Sequence, residues 1–510
     1  MDFQLPFSIS QHSLNALAGH PTLVVGTGIL VLAYLAGRYL SSPWRRLPPG
    51  PKGYPILGSA PDMLNMQRFL ARSVTFGKIV YVNIVGQPTV IINSQRVATD
   101  LLDRRAATFS GRPRTIVGQE LYCGGLSIVM LGHTDRWRRM RRAIHEGLRP
   151  AAAAQYHAME AEEVTRLVLA LANDKNASVR GGYIHHYARY AASLVLAITY
   201  DRPVRDTAED RAMAKVLDEI LTQLEAATAP GSHLVEFAKW KRDAQEGYVR
   251  ITKFYDGLID EVQKRMTIGE ARPCLVRTLV EEKQHFGLSD LETSWAAGMM
   301  YTVGSDTQAA TVEWITLALA THPKVQRCAQ AELDTVIGHA RSPRVGDRDQ
   351  LPYVTAVFRE VMRWRPAAPY GIPHVSEEDD WYEDMFIPKG TICMVNMMAC
   401  NMDTEIYGAD AALFNPDRYL DEKGRLKPSP PETKDEGHIS YGFGRRVCIG
   451  RHVANDTLFM ATAMLLWAFD LSTIGEYELD TYVDKGVTNC NFTPRFPEAM
   501  TILAAELDAC

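Results

Sequence analysis

A short glycine-rich loop near the C-terminus, residues 441–450, constrains this chain more than any other stretch. It reads Tyr-Gly-Phe-Gly-Arg-Arg-Val-Cys-Ile-Gly, and a long apolar helical pattern follows it. A thiolate at the start of a helix gains from the helix dipole and from backbone N–H groups without helical partners, so it can stay deprotonated and bind a metal. We therefore interpret the loop cysteine, Cys448, as an axial thiolate ligand of a haem iron.

Length and composition set the wider limits. With 510 residues the chain exceeds the usual size of one simple core, so two or three domains are the default expectation. No Gly/Ser/Pro-rich linker divides the soluble part, and one large, mainly helical unit is also compatible with the sequence. The net charge of −5 gives no reason to expect nucleic acid as a partner. The eight cysteines form no Cys-x-x-Cys pair, which disfavours zinc ribbons and suits a reducing compartment.

The N-terminal region has the pattern of a membrane anchor. Residues 21–40 are mainly apolar and carry one charge, Arg38, near the end. This length is enough to span a bilayer. A cleaved signal peptide would place its basic residues before a shorter apolar core, whereas here they follow the run. By the positive-inside tendency we expect a short lumenal segment, residues 1–20, a retained transmembrane helix and a cytosolic catalytic domain at the endoplasmic reticulum.

A proline-rich segment, residues 41–58, follows the expected anchor. Its prolines fix φ and cannot lie inside a helix, so we expect a stiff, extended hinge. The catalytic domain then occupies residues 59–510. Within it, residues 79–93 contain two β-rich runs around a Gly/Pro turn, which predicts a hairpin in a chain with little other sheet.

One long helix is predicted in the middle of the chain. Ser289 and Glu292 form a capping box, and no proline occurs until Pro323. That allows roughly thirty helical residues at ~1.5 Å each, enough to cross a domain.

The middle of this helix holds Gly304, Asp306 and Thr307. Gly304 weakens a helix by about 1 kcal/mol relative to Ala, and the Thr307 hydroxyl can compete for the carbonyl four residues back. Together they could open a groove in which Asp306 and Thr307 relay protons. The alternative is an ordinary helix with a glycine packing contact and a surface aspartate.

A basic helical stretch, residues 135–142, places Trp137 and Arg141 on one face. The stretch is either a solvated basic face, a surface for anionic lipid, or a site where Trp137 and Arg141 contact the carboxylates of a bound cofactor. His374 follows Pro373; it is either satisfied internally or a donor to a cofactor carboxylate.

Glu360 and Arg363 lie three residues apart on a helix predicted from Leu351 to Arg365. They are either a surface pair worth a few tenths of a kcal/mol or, with Arg418, a buried charge network that fixes the loop leading to Cys448.

Six motifs follow one another from about residue 47 to the C-terminus. They are the proline-rich hinge, Trp137-x-x-x-Arg141, Gly304-x-Asp306-Thr307, Glu360-x-x-Arg363, Phe414-x-Pro416-x-Arg418 and Gly444-x-Arg446-x-Cys448-x-Gly450. In this order they resemble the cytochrome P-450 haem-thiolate monooxygenases of the membrane-anchored eukaryotic type. The overall pattern is most similar to fungal secondary-metabolite enzymes.

The resemblance implies an α-rich fold with a small β-sheet region, preceded by one transmembrane helix. It implies iron protoporphyrin IX (haem b) bound by Cys448, within a loop shaped by Gly444 and Gly450. The residues implied to contact the haem propionates are Trp137, Arg141, Arg446 and His374.

The activity implied by the resemblance is reductive activation of O₂ and oxidation of a lipophilic small molecule. Asp306 and Thr307 would deliver protons. Electrons would come from NADPH through a cytochrome P-450 reductase, which would dock at the basic residues 136–142 and 445–446.

Three residues depart from the family pattern. Tyr441 stands where the family usually has Phe, and its hydroxyl could tune the thiolate. Val303 and Gln308 stand where Ala and a Thr or Ser are usual, which predicts a reshaped substrate pocket. The expected pocket linings, mostly apolar, are 114–126, 299–308, 367–372 and 488–491, and they suit a terpenoid, polyketide or aromatic amide.

Two other functional classes remain alternatives. A haem-thiolate isomerase or peroxide-dependent enzyme would need no reductase, but it would also not need Asp306 and Thr307. The membrane anchor and the reducible haem iron that the resemblance implies disfavour a haem-binding sensor or carrier.

Overall fold

The structure is a computed structural model that describes residues 21–179, 181–205, 239–475 and 489–509, with scattered residues between 207 and 224. The predicted lumenal segment, residues 1–20, lies outside the described residues. Most of the described chain is helical, as predicted. The α-helices in chain order are α1 Pro21–Ser41, α2 Met66–Ser73, α3 Gln95–Ala98, α4 Asp135–Leu148, α5 Pro150–Ala153, α6 His157–Asn173, α7 Ile184–Tyr200, α8 Lys239–Thr267, α9 Leu275–Glu281, α10 Lys283–Phe286, α11 Asp290–Thr321, α12 Pro323–Val336, α13 Pro352–Trp364, α14 Met397–Asn401, α15 Thr404–Tyr407, α16 Arg451–Ala468 and α17 Ala499–Asp508.

Small sheets accompany the helices. The strands are β1 Ile79–Ile84, β2 Gln87–Ile92, β3 His374–Val375, β4 Asp380–Tyr382, β5 Met385–Ile387, β6 Ile392–Val395, β7 Phe469–Ile474 and β8 Asn489–Pro494. The predicted hairpin is confirmed: β1 and β2 pair around Val85 and Gly86, which both have the positive φ of a type I′ turn. β2 also pairs in parallel with β6, Thr89 opposite Ile392, in a four-stranded sheet of order β1-β2-β6-β3.

The expected anchor and hinge lie at the start of the described chain. Helix α1 covers the apolar segment, but among the described residues no helix combines the length and hydropathy needed to cross a membrane. The anchor therefore stays a prediction. The hinge is fastened to the sheet, because Tyr81 N–H donates to Pro49 O at 2.8 Å and Ser59 N–H to Asn83 O at 2.6 Å. A Cβ on Gly50 would lie 1.9 Å from Tyr81 O, so only glycine permits this approach.

Helix α11 runs through the core of the protein. The predicted capping box is confirmed: Glu292 N–H donates to Ser289 Oγ at 3.1 Å, and Ser289 N–H to Glu292 Oε2 at 2.9 Å. The helix continues for 32 residues, and Pro323 then opens α12. Its buried residues, with Trp295 fully enclosed, are spread around the helix because α7, α8 and α16 pack against it. The helix thus forms one wall of the interior that contains the candidate site.

Candidate active site

The cysteine loop is folded back on itself and held from outside. Cys448 N–H donates to Tyr441 O at 2.7 Å, which closes the loop. Gly444 has φ +54°, and a Cβ there would lie 2.0 Å from Leu102 O. Its N–H donates to the Asp103 carboxylate. The segment after α3 therefore sets the shape of the loop, and only glycine fits at position 444.

The Cys448 side chain opens into a cavity of about 1390 Å³, part of which is open to solvent. Enclosure by the protein raises the pKa of this thiol, while the Gly450 N–H and the nearby Arg141 and Arg451 act in the opposite direction. The predicted help from backbone N–H groups at the helix start is thus present at Gly450, although it is weaker than the effect of enclosure. A coordinated metal would remove the proton, because a thiol bound to a metal ion ionises outright.

Three arginines converge on one side of the cavity. Arg446 donates to Ser110 O at 3.0 Å and to Leu131 O at 2.7 Å, and Arg141 donates to Val447 O at 2.5 Å. Arg112, the third, donates to backbone oxygens of Val129, Ile372 and Pro373. Arg112 could not be predicted from the sequence, because an arginine before a proline in a loop carries no local signal of a binding role.

Trp137 lies between two of these arginines. Its ring is 5.4 Å from the guanidinium carbon of Arg141 and 4.2 Å from that of Arg446. The predicted pairing of Trp137 and Arg141 on one helix face is thus present. The ring keeps the two guanidinium groups in fixed positions at the cavity wall.

The arginine cluster carries more positive charge than its surroundings balance. Burial, followed by repulsion from Arg112 and Arg141, lowers the pKa of Arg446 to about 9. Burial and Arg141 lower the pKa of Arg112 to about 10. Arg446 Nη1 is buried and has no hydrogen-bond partner among the described residues. A ligand with carboxylates would supply both the missing acceptor and the missing negative charge.

His374 lines the same cavity, and its ring is satisfied internally, which was one of the two predicted alternatives. Its Nδ1 lies 2.7 Å from Phe109 O, so this nitrogen carries the proton and donates it to the carbonyl. Burial, then Arg112 and Arg446, lowers the pKa of His374 to about 3. The neutral ring leaves Nε2 as an acceptor, and donation to a cofactor carboxylate would require the protonated ring.

Helix α11 contributes Thr307 to the opposite side of the cavity. The Thr307 hydroxyl donates to Val303 O at 3.1 Å, four residues back as predicted, and lies within reach of Gly304 O at 3.3 Å. Asp306 is exposed and is not among the described residues that line the cavity. Together with burial, which acts more strongly, its carboxylate raises the pKa of Tyr301. The structure thus places Thr307, and not Asp306, at the cavity.

The groove expected at Gly304 is absent from the described helix, which is α-helical throughout. A Cβ on Gly304 would lie 3.2 Å from Val195 Cγ1 on α7. The glycine therefore permits close packing of α7 on α11, which was the alternative interpretation.

The residues that depart from the family pattern all line the cavity. The Gln308 amide donates to Thr457 Oγ1 on α16 at 2.6 Å, while its carbonyl oxygen is buried without a partner among the described residues. The Tyr441 hydroxyl donates to Asn455 Oδ1 at 2.8 Å, and Asn455 donates to Glu436 at 2.8 Å. The tyrosine hydroxyl therefore braces the loop against α16 through this chain of hydrogen bonds.

The apolar lining agrees in part with the expected segments. As expected, Met300 and Val303 of α11 line the cavity, and so do Ala367, Ala368, Gly371 and Ile372. From the loop before α4 the lining residues are Ile128 and Val129, just beyond the expected 114–126. Residue 488 lies outside the described residues.

The predicted charge network is buried beside the loop. Arg363 Nε and Nη2 each lie 2.7 Å from a Glu360 oxygen, and both side chains are 0% exposed. Arg418 Nε joins Glu360 at 3.0 Å. Arg363 also donates to the carbonyls of Asn401 and Ala411, so the network holds the segments that precede the cysteine loop.

Comparison with known proteins agrees with this geometry. The cytochrome P-450 family model matches residues 48–489. The chain belongs to the cytochrome P-450 family. A cytochrome P-450 monooxygenase of Armillaria gallica is 41% identical, with 94% of this chain and 96% of that protein aligned. Cytochrome P-450 monooxygenase 58 of Postia placenta is 37% identical, with 94% of each chain covered. Cytochrome P-450 monooxygenase iboC of Amanita muscaria is 34% identical over 91% of this chain and 94% of that protein.

A cytochrome P-450 has a haem cofactor, and the residues present fit one. Cys448 supplies a sulfur ligand at the cavity wall, and the arginine cluster supplies unpaired positive charge for two carboxylates. Gly444 and Gly450, predicted as cofactor contacts, do not line the cavity among the described residues. Gly444 shapes the loop, and Gly450 donates its N–H to Cys448.

The basic surface predicted to dock a reductase is only partly available in this cytochrome P-450. Arg136 and Arg139 bind Glu292, at 3.1 Å and 3.2 Å, while Arg141 and Arg446 face the cavity. The remaining exposed arginines of the two stretches are Arg138, Arg142 and Arg445.

Proposed function

We propose that the chain is a haem b monooxygenase that oxidises a lipophilic small molecule with electrons derived from NADPH. The observation that carries the proposal is the shared cavity: Cys448, the arginine cluster and Thr307 all line it. In this proposal Cys448 ligates the iron, while Arg446, Arg141 and Trp137 hold the propionates. Bound haem would supply the activation of O₂, and a thiolate is an axial ligand suited to this chemistry.

In this proposal the side chains hold the haem, orient the substrate and exclude bulk water. Arg446 Nη1, which is buried and has no hydrogen-bond partner among the described residues, would donate to a propionate oxygen. The apolar residues around Val303 and Ile372 keep bulk water from the substrate. As a relay, the Thr307 hydroxyl would turn its O–H away from Val303 O, to which it donates at 3.1 Å, release that proton to an acceptor in the cavity and take one from water in its place.

The electron donor in this proposal is an NADPH-dependent cytochrome P-450 reductase. Arg138, Arg142 and Arg445 are exposed, and Arg445 marks the side of the protein that carries the cysteine loop. A positive patch steers an acidic partner to that side and accelerates association at low ionic strength.

The substrate class follows from the cavity wall. Away from the arginine cluster and His374 the lining is mainly apolar, and its polar exceptions include Thr307, Gln308, Thr311, Ser440 and Tyr441. Such a pocket takes a lipophilic molecule oriented by a few hydrogen bonds. We propose a terpenoid, polyketide or related compound of fungal secondary metabolism; the similarity to fungal monooxygenases supports this origin.

The location in this proposal is the endoplasmic reticulum membrane, with residues 21–40 as a single anchor and the catalytic domain in the cytosol. The supporting observation is the apolar sequence of this segment, which ends in Arg38. Carbonate extraction of microsomes from cells expressing the full chain and a chain lacking residues 1–40 tests it. Release of the full chain into the supernatant would contradict the anchor.

Two measurements test the enzymatic proposal. The reduced, CO-bound protein should show the red-shifted Soret band of thiolate-ligated haem, and a band of the histidine-ligated type would refute the role of Cys448. Product should form with NADPH and reductase together and stop when the reductase is left out. Turnover without reductase, or with peroxide alone, would favour the isomerase or peroxide-dependent alternative.

A further inference from the structure

A second group of metal-ligating side chains lies between α6 and α16. His157 is the first residue of α6, Glu160 lies one turn later, and Asp456 lies in the second turn of α16. One ligand atom of each residue falls within 4.8 Å of the other two. None of the three is among the described residues that line the haem cavity, so this group is separate from the active site.

Glu160 is the residue in this group that requires a ligand. It is 0% exposed, and neither carboxylate oxygen has a hydrogen-bond partner among the described residues. Burial of an ionised carboxylate without a partner is strongly unfavourable. Burial, with a smaller contribution from Asp456, accordingly raises the pKa of Glu160 well above its ordinary value. A cation beside the carboxylate would remove this cost.

The charged side chains around Glu160 are paired with one another and leave its carboxylate without a partner. Arg348 Nη1 binds Asp456 Oδ1 at 3.0 Å, so Oδ2 is the oxygen directed at the group. The next acid on α6, Glu163, is paired through Oε1 with Arg205 at 2.7 Å. Neither arginine makes a hydrogen bond with Glu160 among the described residues.

One separation in the group, which is also within hydrogen-bond range, matches the spacing of two ligand atoms on a tetrahedral metal. His157 Nε2 and Asp456 Oδ2 are 3.2 Å apart. Two ligand atoms at zinc bond lengths of about 2.0–2.1 Å in tetrahedral geometry lie about 3.3 Å apart. The His157 side chain is 35% exposed, which gives an ion access and leaves a position for water.

We propose that His157, Glu160 and Asp456 bind a first-row divalent cation that fastens α6 to α16. One imidazole and two carboxylates are a ligand set that Zn²⁺ accepts. Asp456 lies eight residues after Cys448, near the start of the helix that follows the thiolate. The cation thus holds the segment that carries the haem ligand against the helical core.

The experiment uses the full-length, haem-loaded protein with Zn²⁺ as the probe. The protein is treated with EDTA, equilibrated with zinc, desalted and assayed for zinc per haem iron by elemental analysis, with affinity by calorimetry. The wild type should bind one zinc ion more than Glu160→Gln. The variant's affinity at this site should fall by more than about tenfold, because loss of even an outer-shell partner costs that much.

Two further variants make the result decisive. Asp174→Asn alters a second His/carboxylate group, with His185 and His186, that has no buried unpartnered carboxylate, so it should keep the Glu160-dependent zinc ion. His157→Gln changes a half-exposed ligand and serves if Glu160→Gln does not fold. Equal zinc content in the wild type and the folded Glu160 or His157 variant would overturn the proposal and leave Glu160 as a buried protonated carboxyl.

Discussion

Glu360 and Arg363 form a bidentate ion pair in which both side chains are completely buried, with Arg363 Nε and Nη2 each 2.7 Å from a carboxylate oxygen. Because the same arginine also donates to the carbonyls of Asn401 and Ala411, the pair joins α13 to the segments before the cysteine loop. The stability of the haem loop therefore depends on a pair located outside the cavity.

Glu360→Gln should lower the free energy of unfolding by about 3–5 kcal/mol, because it leaves a buried guanidinium uncompensated. Urea unfolding and haem content per chain measure the effect. The matched control is Glu281→Gln, which breaks an exposed i,i+4 pair with Arg277 at 2.9 Å and should cost about 1 kcal/mol or less. Similar losses for the two variants would argue against a structural network.

Gly444→Ala should prevent haem incorporation, since the new Cβ would meet Leu102 O at 2.0 Å on a residue with φ +54°. Haem-to-protein absorbance of the purified variant measures it. Gly424→Ala is the control: φ is +71°, a Cβ there meets no described atom within 4 Å and the residue is not among those that line the cavity, so only a backbone cost of about 1–2 kcal/mol is expected. A haem-replete Gly444 variant would contradict the contact with Leu102.

Arg446→Gln should speed haem loss about ten- to a hundredfold, because a charge-assisted hydrogen bond contributes about 1.5–3 kcal/mol. Transfer of haem to an acceptor protein in excess measures the rate. Its neighbour Arg445 is exposed, and Arg445→Gln should retain haem like the wild type. Equal rates for the two variants would remove Arg446 from the propionate site.

Thr307→Ala should uncouple NADPH consumption from product, because the hydroxyl that accepts and passes a proton at the cavity is lost. Thr307→Ser keeps a hydroxyl and should restore most of the coupling. The ratio of product to NADPH oxidised is the readout, and equal ratios in the wild type and the alanine variant would contradict the proton-relay role.

His438 should make the protein less stable in mild acid. Burial, followed by repulsion from Arg359 and Arg363, lowers the pKa of His438 to about 3. Between that value and about 6.5 the unfolded chain binds the proton and the folded chain does not, so stability falls as the pH falls below about 6.5.

His438→Asn keeps an acceptor for Ser440 N–H and removes this titration. Urea unfolding at pH 7 and pH 5 measures the outcome. The loss of stability between the two should be about 2 kcal/mol smaller in the variant than in the wild type. Parallel pH profiles would show that His438 does not hold a depressed pKa.

The features that could be predicted from the sequence are those formed by residues close together in the chain. The capping box, the hairpin and the shared face of Trp137 and Arg141 depend on residues at most a few positions apart, and the structure contains all three. Arg112 and the contact of Gly304 with Val195 could not be found this way, because their partners lie far along the chain.

The other differences between the predictions and the structure concern the burial and direction of side chains. The pKa of the Cys448 thiol depends on how much protein encloses it, which loop spacing does not report. Asp306 and Thr307 are adjacent in sequence, yet only Thr307 lines the described cavity, because neighbouring helical residues point about 100° apart.

The parallel pairing of β2 with β6 has a consequence for synthesis on the ribosome. Thr89 leaves the exit tunnel long before its partner Ile392, 303 positions later, has been translated. The segment around Leu102, which contacts Gly444, is likewise translated hundreds of codons before Gly444. Contacts of such sequence separation form late and slowly. The thiolate ligand therefore joins the site late in synthesis, because Cys448 is translated after Arg112, Arg141 and Arg446.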